Sequence, residues 1–176
     1  MREAGLYIHI PFCVKKCNYC DFNSYAISSN NDEIKDKYIE SILKELKNYS
    51  SENMAIKSVY VGGGTPTVLS GKQISTIIAG IKRNFNIKSN AEITIEANPG
   101  TVDFKKLSAL KNGGVNRISF GLQSTDDKIL KFLGRIHNYS NFTNNYKIAR
   151  KIKFDNINVD IIFGIPGQSV ADVKRS

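Results

Sequence analysis

Cys13, Cys17 and Cys20 are the only cysteines of the 176-residue chain, and all lie in the stretch Cys13-Val14-Lys15-Lys16-Cys17-Asn18-Tyr19-Cys20. An odd number of thiols held this close together cannot all pair as disulfides, so ligation is the chemistry they offer. Three thiolates on one loop suit a 4Fe–4S cube, a group that commonly takes four cysteines. One iron is then left without a protein sulfur and stays open to a small chelating molecule. Structural zinc is the other reading, with His9 or Asp21 as the fourth ligand. Zinc commonly takes C-x2-C pairs that close a tetrahedron, and only Cys17 and Cys20 form such a pair here.

The rest of the chain alternates strand and helix patterns that can position this loop. Leu6 to Ile10 reads as a first strand and runs through Pro11 into the cysteines. Residues 32–48 read as a helix with an apolar face of Ile34, Tyr38, Ile42 and Leu46, flanked by Ile39 and Leu43. Ser58 to Val61 is a second strand, closed by Gly62-Gly63-Gly64-Thr65-Pro66. Ser70 and Gln73 have capping-box spacing ahead of a helix with the stripe Ile74, Ile77, Ile78 and Ile81. Glu92 to Ala97 is the third strand, stopped by Asn98-Pro99-Gly100. A short helix carrying Phe104, Leu107 and Leu110 ends at Gly113-Gly114. Arg117 to Gly121 is the fourth strand. Helical stretches follow near 126–133 and 140–152, broken around Gly134, and Ile157 to Phe163 is the fifth strand. Residues 50–53 read as an ordinary loop.

Repeated βα units imply parallel strands joined by right-handed crossovers. No G-x-G-x-x-G follows the first strand, so a dinucleotide-binding domain is not supported. The polar and glycine-rich signals sit after successive strands, where barrel-type α/β proteins build their sites. The fold class is therefore α/β, a partial open (β/α) barrel with outer helices, spanning residues 1–176 as one domain.

Several residues at those strand ends can do chemistry. Gly62-Gly63-Gly64 leaves the backbone open to a ligand, or is simply a tight βα turn. Glu96 can cap a neighbouring helix or accept hydrogen bonds from a ligand's hydroxyls. Asp160 lies within the apolar run Val159 to Phe163, where a buried carboxylate needs a partner; Arg135 or a ligand hydroxyl would serve. Gln123, read alone, is an ordinary loop glutamine. His9 reads as a hydrogen-bonded core histidine, and His137 has no assignment from the sequence.

The C-x3-C-x2-C spacing with Tyr19 just before the last cysteine resembles the radical S-adenosylmethionine (SAM) superfamily. Five further motifs occur in order: His9-Ile10-Pro11-Phe12-Cys13, Gly62 to Thr67, Glu96-Ala97-Asn98-Pro99, Gly121-Leu122-Gln123-Ser124 and Asp160 to Pro166. Together they resemble the oxygen-independent coproporphyrinogen III oxidase family and its haem-chaperone relatives over nearly the whole chain. The resemblance implies a 4Fe–4S cluster on Cys13, Cys17 and Cys20, with the amino and carboxylate groups of SAM on the open iron. Reduction of the cluster then cleaves the sulfonium to a 5′-deoxyadenosyl radical. It further implies that Gly63, Gly64 and Thr65 meet the amino-acid end of SAM, and that Glu96 binds its ribose. Gln123, Arg135 and Asp160 are implied around SAM, Tyr7 near its methionyl end, and Tyr19 as an aromatic wall.

One position departs from the oxidases. They carry a further cysteine two residues after the third cluster cysteine, and here Phe22 stands there. The haem-chaperone branch lacks that cysteine too. The resemblance thus favours a protein that binds haem and passes it to an acceptor protein, over one that decarboxylates coproporphyrinogen III in porphyrin biosynthesis.

Composition agrees with a globular chain: 41% of residues are hydrophobic and 23% charged. No apolar run approaches membrane-span length, and residues 1–5 lack the apolar core of a signal peptide. The cytoplasm is the expected compartment, in keeping with reduced thiols. The net charge of +9 is read as a solvated lysine-rich surface that also favours an acidic electron donor such as a flavodoxin. No nucleic-acid motif accompanies it. Ser169 and Asp172 open a helix cut at Ser176, which would be marginal alone and would leave the fifth strand at an edge. A longer protein with further chain beyond Ser176 is the expectation.

Overall fold

The computed structural model describes residues 2–28, 31–50 and 54–176. Residues 51–53 of the loop expected at 50–53 lie outside the described residues. The elements are β1 (Arg2–Ile10), β2 (Phe12–Cys13), β3 (Tyr25–Ala26), α1 (Asp32–Tyr49), β4 (Met54–Gly63) and α2 (Gly71–Asn84). There follow β5 (Asn86–Ala97), α3 (Phe104–Gly113), β6 (Arg117–Gln123), α4 (Asp127–Phe132), α5 (Tyr139–Lys151), β7 (Asn156–Ile161) and α6 (Val170–Arg175). A short 3-10 turn, Pro66–Val68, lies between β4 and α2.

Five strands form one parallel sheet in the order β1-β4-β5-β6-β7. The sheet does not close, as the open-barrel reading expected. Strand register explains how its faces differ. Ile8, Val61, Ile95, Ile118 and Ile157 form one row across all five strands. The first four are buried against the helices. The neighbouring row of Tyr7, Tyr60, Thr94 and Arg117 points to the opposite, open face. Alternation of period two makes that division compulsory.

Local signals set the helix ends. Ser70 and Gln73 form a reciprocal capping box, as do Asn138 and Asn141 and Ser169 and Asp172. Gly114, at φ 102°, is the left-handed cap of α3, a conformation that costs glycine little.

The structure corrects several boundaries and one helix face. β1, β4 and β5 start earlier than expected: the first residues of β1 and β5 continue the pairing with little burial, while β4 begins with Ala55 and Ile56 already buried. In α1 the buried stripe is Lys35, Ile39, Ile42 and Leu46, and Ile34 is exposed. Lys35 lays its stem along the core while its ammonium pairs with Asp32 at 3.0 Å. Strand β7 stops at Ile161, and Phe163 is exposed rather than part of the strand. The pairing of β2 with β3 was not foreseen.

Phe120 on β6 is fully buried and meets Phe142 of α5 edge-to-face, with ring centroids 6.0 Å apart. Phe120→Ala should lower unfolding stability by about 3–5 kcal/mol in denaturant titrations. A change below about 1 kcal/mol would mean that β6 is not anchored through this contact.

Candidate functional site

The cysteine loop leaves β1 and folds back over the ends of β1 and β4. Gly64 N donates to Ile10 O at 2.8 Å, and Thr65 N donates to Phe12 O at 2.7 Å. Tyr25 N donates to Pro11 O at 2.7 Å, and Ile27 N to Cys13 O at 2.9 Å. Further along, Asn18 fixes the loop to the end of α4. Its backbone N–H donates to Leu133 O at 3.0 Å, and its Nδ2 donates to Phe132 O at 2.7 Å.

One cleft at this end of the sheet is lined by Cys13, Cys17, Cys20, Tyr19, Gly63, Gly64, Thr65, Glu96, Gln123, Arg135 and Asp160. These residues come from six separate segments of sequence. Phe22 also lines the cleft, although it is largely exposed. Tyr7 does not line it. It stands on the open face below, stacked on Tyr60 at 6.2 Å and donating to His9 Nδ1 at 3.0 Å. His9 Nε2 donates in turn to Asn23 O at 2.9 Å. Both ring nitrogens are therefore engaged, as for the hydrogen-bonded histidine expected, although the ring is only half-buried.

Glu96 is held from two sides. Tyr60 Oη donates to one carboxylate oxygen at 2.7 Å, and Gly63 N donates to the other at 3.1 Å. Burial first, with Asp160 adding to it, raises its pKa above the usual carboxylate range. Burial and the Glu96 carboxylate likewise push the Tyr60 hydroxyl up. Tyr19 is also raised, by burial.

Asp160 is a correction. It is exposed on the edge strand, not buried, because no further strand covers β7 among the described residues. Its partners are Ser119 Oγ at 3.1 Å and Asn158 Nδ2 at 2.7 Å, not Arg135. Gln123 is the last residue of β6 and sits at φ 70°. Left-handed backbone at a residue other than glycine costs about 1–3 kcal/mol and collects at functional sites.

Arg135 has the densest set of contacts. Nη1 donates to Cys17 Sγ at 3.6 Å and to Tyr19 Oη at 3.3 Å. Nη2 donates to Asn98 Oδ1 at 2.7 Å and to Gly121 O at 2.6 Å. Its Nε is buried with no partner. Asn98, Ser119 and Tyr60 were missed by sequence reasoning. Asn98 lay within the Glu96 to Pro99 motif, and Ser119 shares its face with Gly121, so period two was the available signal.

His137 completes this network behind Asn98. It is buried, with Nδ1 2.9 Å from Asn98 Oδ1 and Nε2 3.2 Å from Leu122 O. Both neighbours are acceptors, so only the imidazolium can donate to both. Burial first and Arg135 second push the pKa down to about 4, so the neutral ring has one proton for two oxygens.

Residues 7–176 match the Radical SAM superfamily. A parallel open sheet with a three-cysteine cleft at its strand ends, within a match of that length, makes this chain a member of that superfamily. It is 42% identical over 174 residues to "Heme chaperone HemW" of Buchnera aphidicola (strain APS), covering 98% of this chain and 46% of the relative. It is 40% identical over 174 residues to "Heme chaperone HemW" of Escherichia coli, with the same coverage of 98% and 46%. The solved coproporphyrinogen III oxidase HemN of Escherichia coli, titled a Radical SAM enzyme, superposes with a TM-score of 0.89 at 30% identity. That match covers 99% of this chain and 41% of HemN. The chain thus spans about half the length of the curated relatives it matches. No helix among the described residues is long and apolar enough to cross a membrane.

His137 gives a pH prediction. Its folded pKa of about 4 lies below the ordinary value of 6.5. Between these values the unfolded chain binds more protons, so the contribution is complete above pH ~6.5 and is lost as pH falls to ~4. Urea midpoints at pH 7 and pH 5 should differ less in His137→Gln than in the parent. An unchanged difference would place the acid sensitivity elsewhere.

Proposed function

We propose that Cys13, Cys17 and Cys20 hold a 4Fe–4S cluster with one open iron, and that the adjoining cleft binds SAM. The observation that carries this reading is the convergence of three thiols, a backbone cradle and a paired carboxylate on one cleft. Among the described residues no three of His, Cys, Asp and Glu converge closely enough to hold a single ion. A cube needs the opposite arrangement, with each thiolate on a different iron. A zinc site with His9 as the fourth ligand is less well supported, because both its nitrogens are already engaged.

The residues suit both groups. A Cβ at Gly64 would lie 2.9 Å from Cys13 Sγ, so only glycine leaves that sulfur its space. The buried, unpartnered Nε of Arg135 is a donor that a bound acceptor would satisfy. Gly63, Gly64 and Thr65 would border the amino-acid end of SAM, and Glu96 would accept from its ribose hydroxyls. Gln123, Arg135 and Asp160 would form the far wall, with Tyr19 beside the cluster and Tyr7 on the open face below. When bound and reduced, the cluster supplies the electron that cleaves the sulfonium of SAM. The chain's own part is to bind, orient and shield that reaction.

For the whole protein we read a haem chaperone, which binds haem and delivers it to an acceptor protein in the cytoplasm. It would draw electrons from an acidic donor such as a flavodoxin. The names of the relatives support this, as does Phe22 in the cleft wall where the oxidases have a thiol. Phenylalanine adds bulk and removes a reactive sulfur from the surface a substrate must cross. The similarity to HemN favours a second reading, oxidative decarboxylation of coproporphyrinogen III to protoporphyrinogen IX. The chain has two histidines, and the ring nitrogens of both are engaged. We therefore look for a haem iron ligand in the part of the relatives' length that this chain does not span.

Three measurements test this. After anaerobic reconstitution, alanine at any one of the three cysteines should remove most of the iron and sulfide. Full retention in all three variants would refute the cluster. Glu96→Ala should weaken SAM binding by about 1–3 kcal/mol, read from the spectrum of the reduced cluster. In a chain extended to the length of the relatives, haem titration should saturate and haem should pass to an apo-acceptor, while dithionite and SAM yield no protoporphyrinogen. Stoichiometric decarboxylation without haem binding would restore the oxidase.

A further inference from the structure

The Arg135 guanidinium reaches Cys17 Sγ with one nitrogen only, and its other terminal nitrogen is tethered to β5 and β6. Nη2 donates to Gly121 O at 2.6 Å and to Asn98 Oδ1 at 2.7 Å. Asn98 is itself constrained. Pro99 follows it, which keeps its backbone extended. Gly100 N, in the same turn, donates to Asn145 Oδ1 at 2.7 Å. Buried Asn145 of α5 also donates from Nδ2 to Val102 O at 3.0 Å. The side-chain amide of Asn98 is fixed by His137, whose Nδ1 lies 2.9 Å from the oxygen that accepts from Arg135.

Arg135 is a pure donor, so its contact assigns the oxygen of Asn98 to the shared position. A neutral His137 that completes this node carries its proton on Nδ1. Nε2 lies 3.2 Å from Leu122 O, on the far side of the ring.

We propose that Asn98 and His137 are positioning residues that hold the Arg135 guanidinium against Cys17 Sγ, and that this contact raises the reduction potential of the cluster. The proposal rests on the cluster reading given above. Its physics is direct. Reduction adds negative charge to the iron and sulfur atoms, so a fixed cation donating a hydrogen bond to one cysteine sulfur stabilises the reduced state. Hydrogen bonds to the sulfurs are among the levers that tune such clusters. A guanidinium freed from Asn98 keeps its charge but loses its aim, because its stem can then swing into the open cleft.

The test is a redox titration, followed by electron paramagnetic resonance, of reconstituted parent, Asn98→Ala, His137→Phe, His137→Gln and Phe142→Leu proteins. At a fixed potential, Asn98→Ala and His137→Phe should show a reduced-to-oxidised ratio about tenfold lower, a shift of about 59 mV for one electron. His137→Gln keeps an N–H donor and should stay near the parent. Phe142→Leu trims the packing of α5 on Phe120 while replacing none of the hydrogen-bonding side chains, and should leave the potential unmoved.

Unmoved potentials in Asn98→Ala and His137→Phe at full iron and sulfide content would overturn the proposal alone. An equal shift in Phe142→Leu would also overturn it. A parent protein that takes up no cluster would overturn it together with the reading beneath it. Should the two severe variants fail to fold, guanidinium proton exchange in the metal-free parent and His137→Gln proteins decides the positioning step. Slowed exchange at Arg135 in both is expected, and rapid exchange in the parent would overturn that step.

Discussion

The arrangement depends on how closely two backbone segments approach at the ends of β1 and β4. Gly64 and Thr65 donate to Ile10 and Phe12, which brings the chain after β4 against the start of the cysteine loop. A Cβ on Gly64 would lie 2.8 Å from Phe12 O. A Cβ on Gly63 would lie 2.8 Å from the His9 ring, and Gly63 sits at φ 121°. Glycine is required at both positions by space, and at Gly63 by conformation as well. The same turn aims Gly63 N at Glu96, so one glycine pair sets the cysteines and the carboxylate relative to each other.

Around this turn the cleft carries both signs of charge. Glu96 and Asp160 lie on β5 and β7, while Arg135, Lys15 and Lys16 stand around the cysteines. A ligand bearing an ammonium, a carboxylate and neighbouring hydroxyls would meet groups of complementary charge there. Burial of Glu96 raises its pKa, and the Tyr60 and Gly63 hydrogen bonds oppose that rise. The carboxylate is thus fixed and partly desolvated before any ligand arrives, the condition under which its interactions count for most.

Much of this was legible in the sequence. Strands, helices and caps followed from apolar period, glycine stops and capping pairs, all of which are local signals. The cysteine loop and the strand-end motifs marked the cleft, because a parallel sheet delivers the C-terminal ends of its strands to one side. What escaped depends on neighbours distant in sequence. Lys35 replaces Ile34 in the buried face of α1, in phase with Ile39, Ile42 and Leu46, and its ammonium pairs with Asp32. Asp160 is exposed because its strand is an edge among the described residues; the edge itself was expected, but its consequence for a carboxylate within an apolar run was not. Asn98 and His137 acquire meaning only when Arg135, from the segment after α4, arrives between β5 and the cysteine loop. The β2–β3 pair has two residues in each strand and leaves no periodic trace.

The central claim is that three cysteines share one cube whose fourth iron is open to SAM. Mössbauer spectroscopy of protein reconstituted with 57Fe, recorded with and without SAM, tests it most directly. The account predicts that about one quarter of the iron signal shifts to a higher isomer shift on adding SAM, with the remainder unchanged. Four equivalent irons that ignore SAM, or iron bound only as single ions, would contradict it.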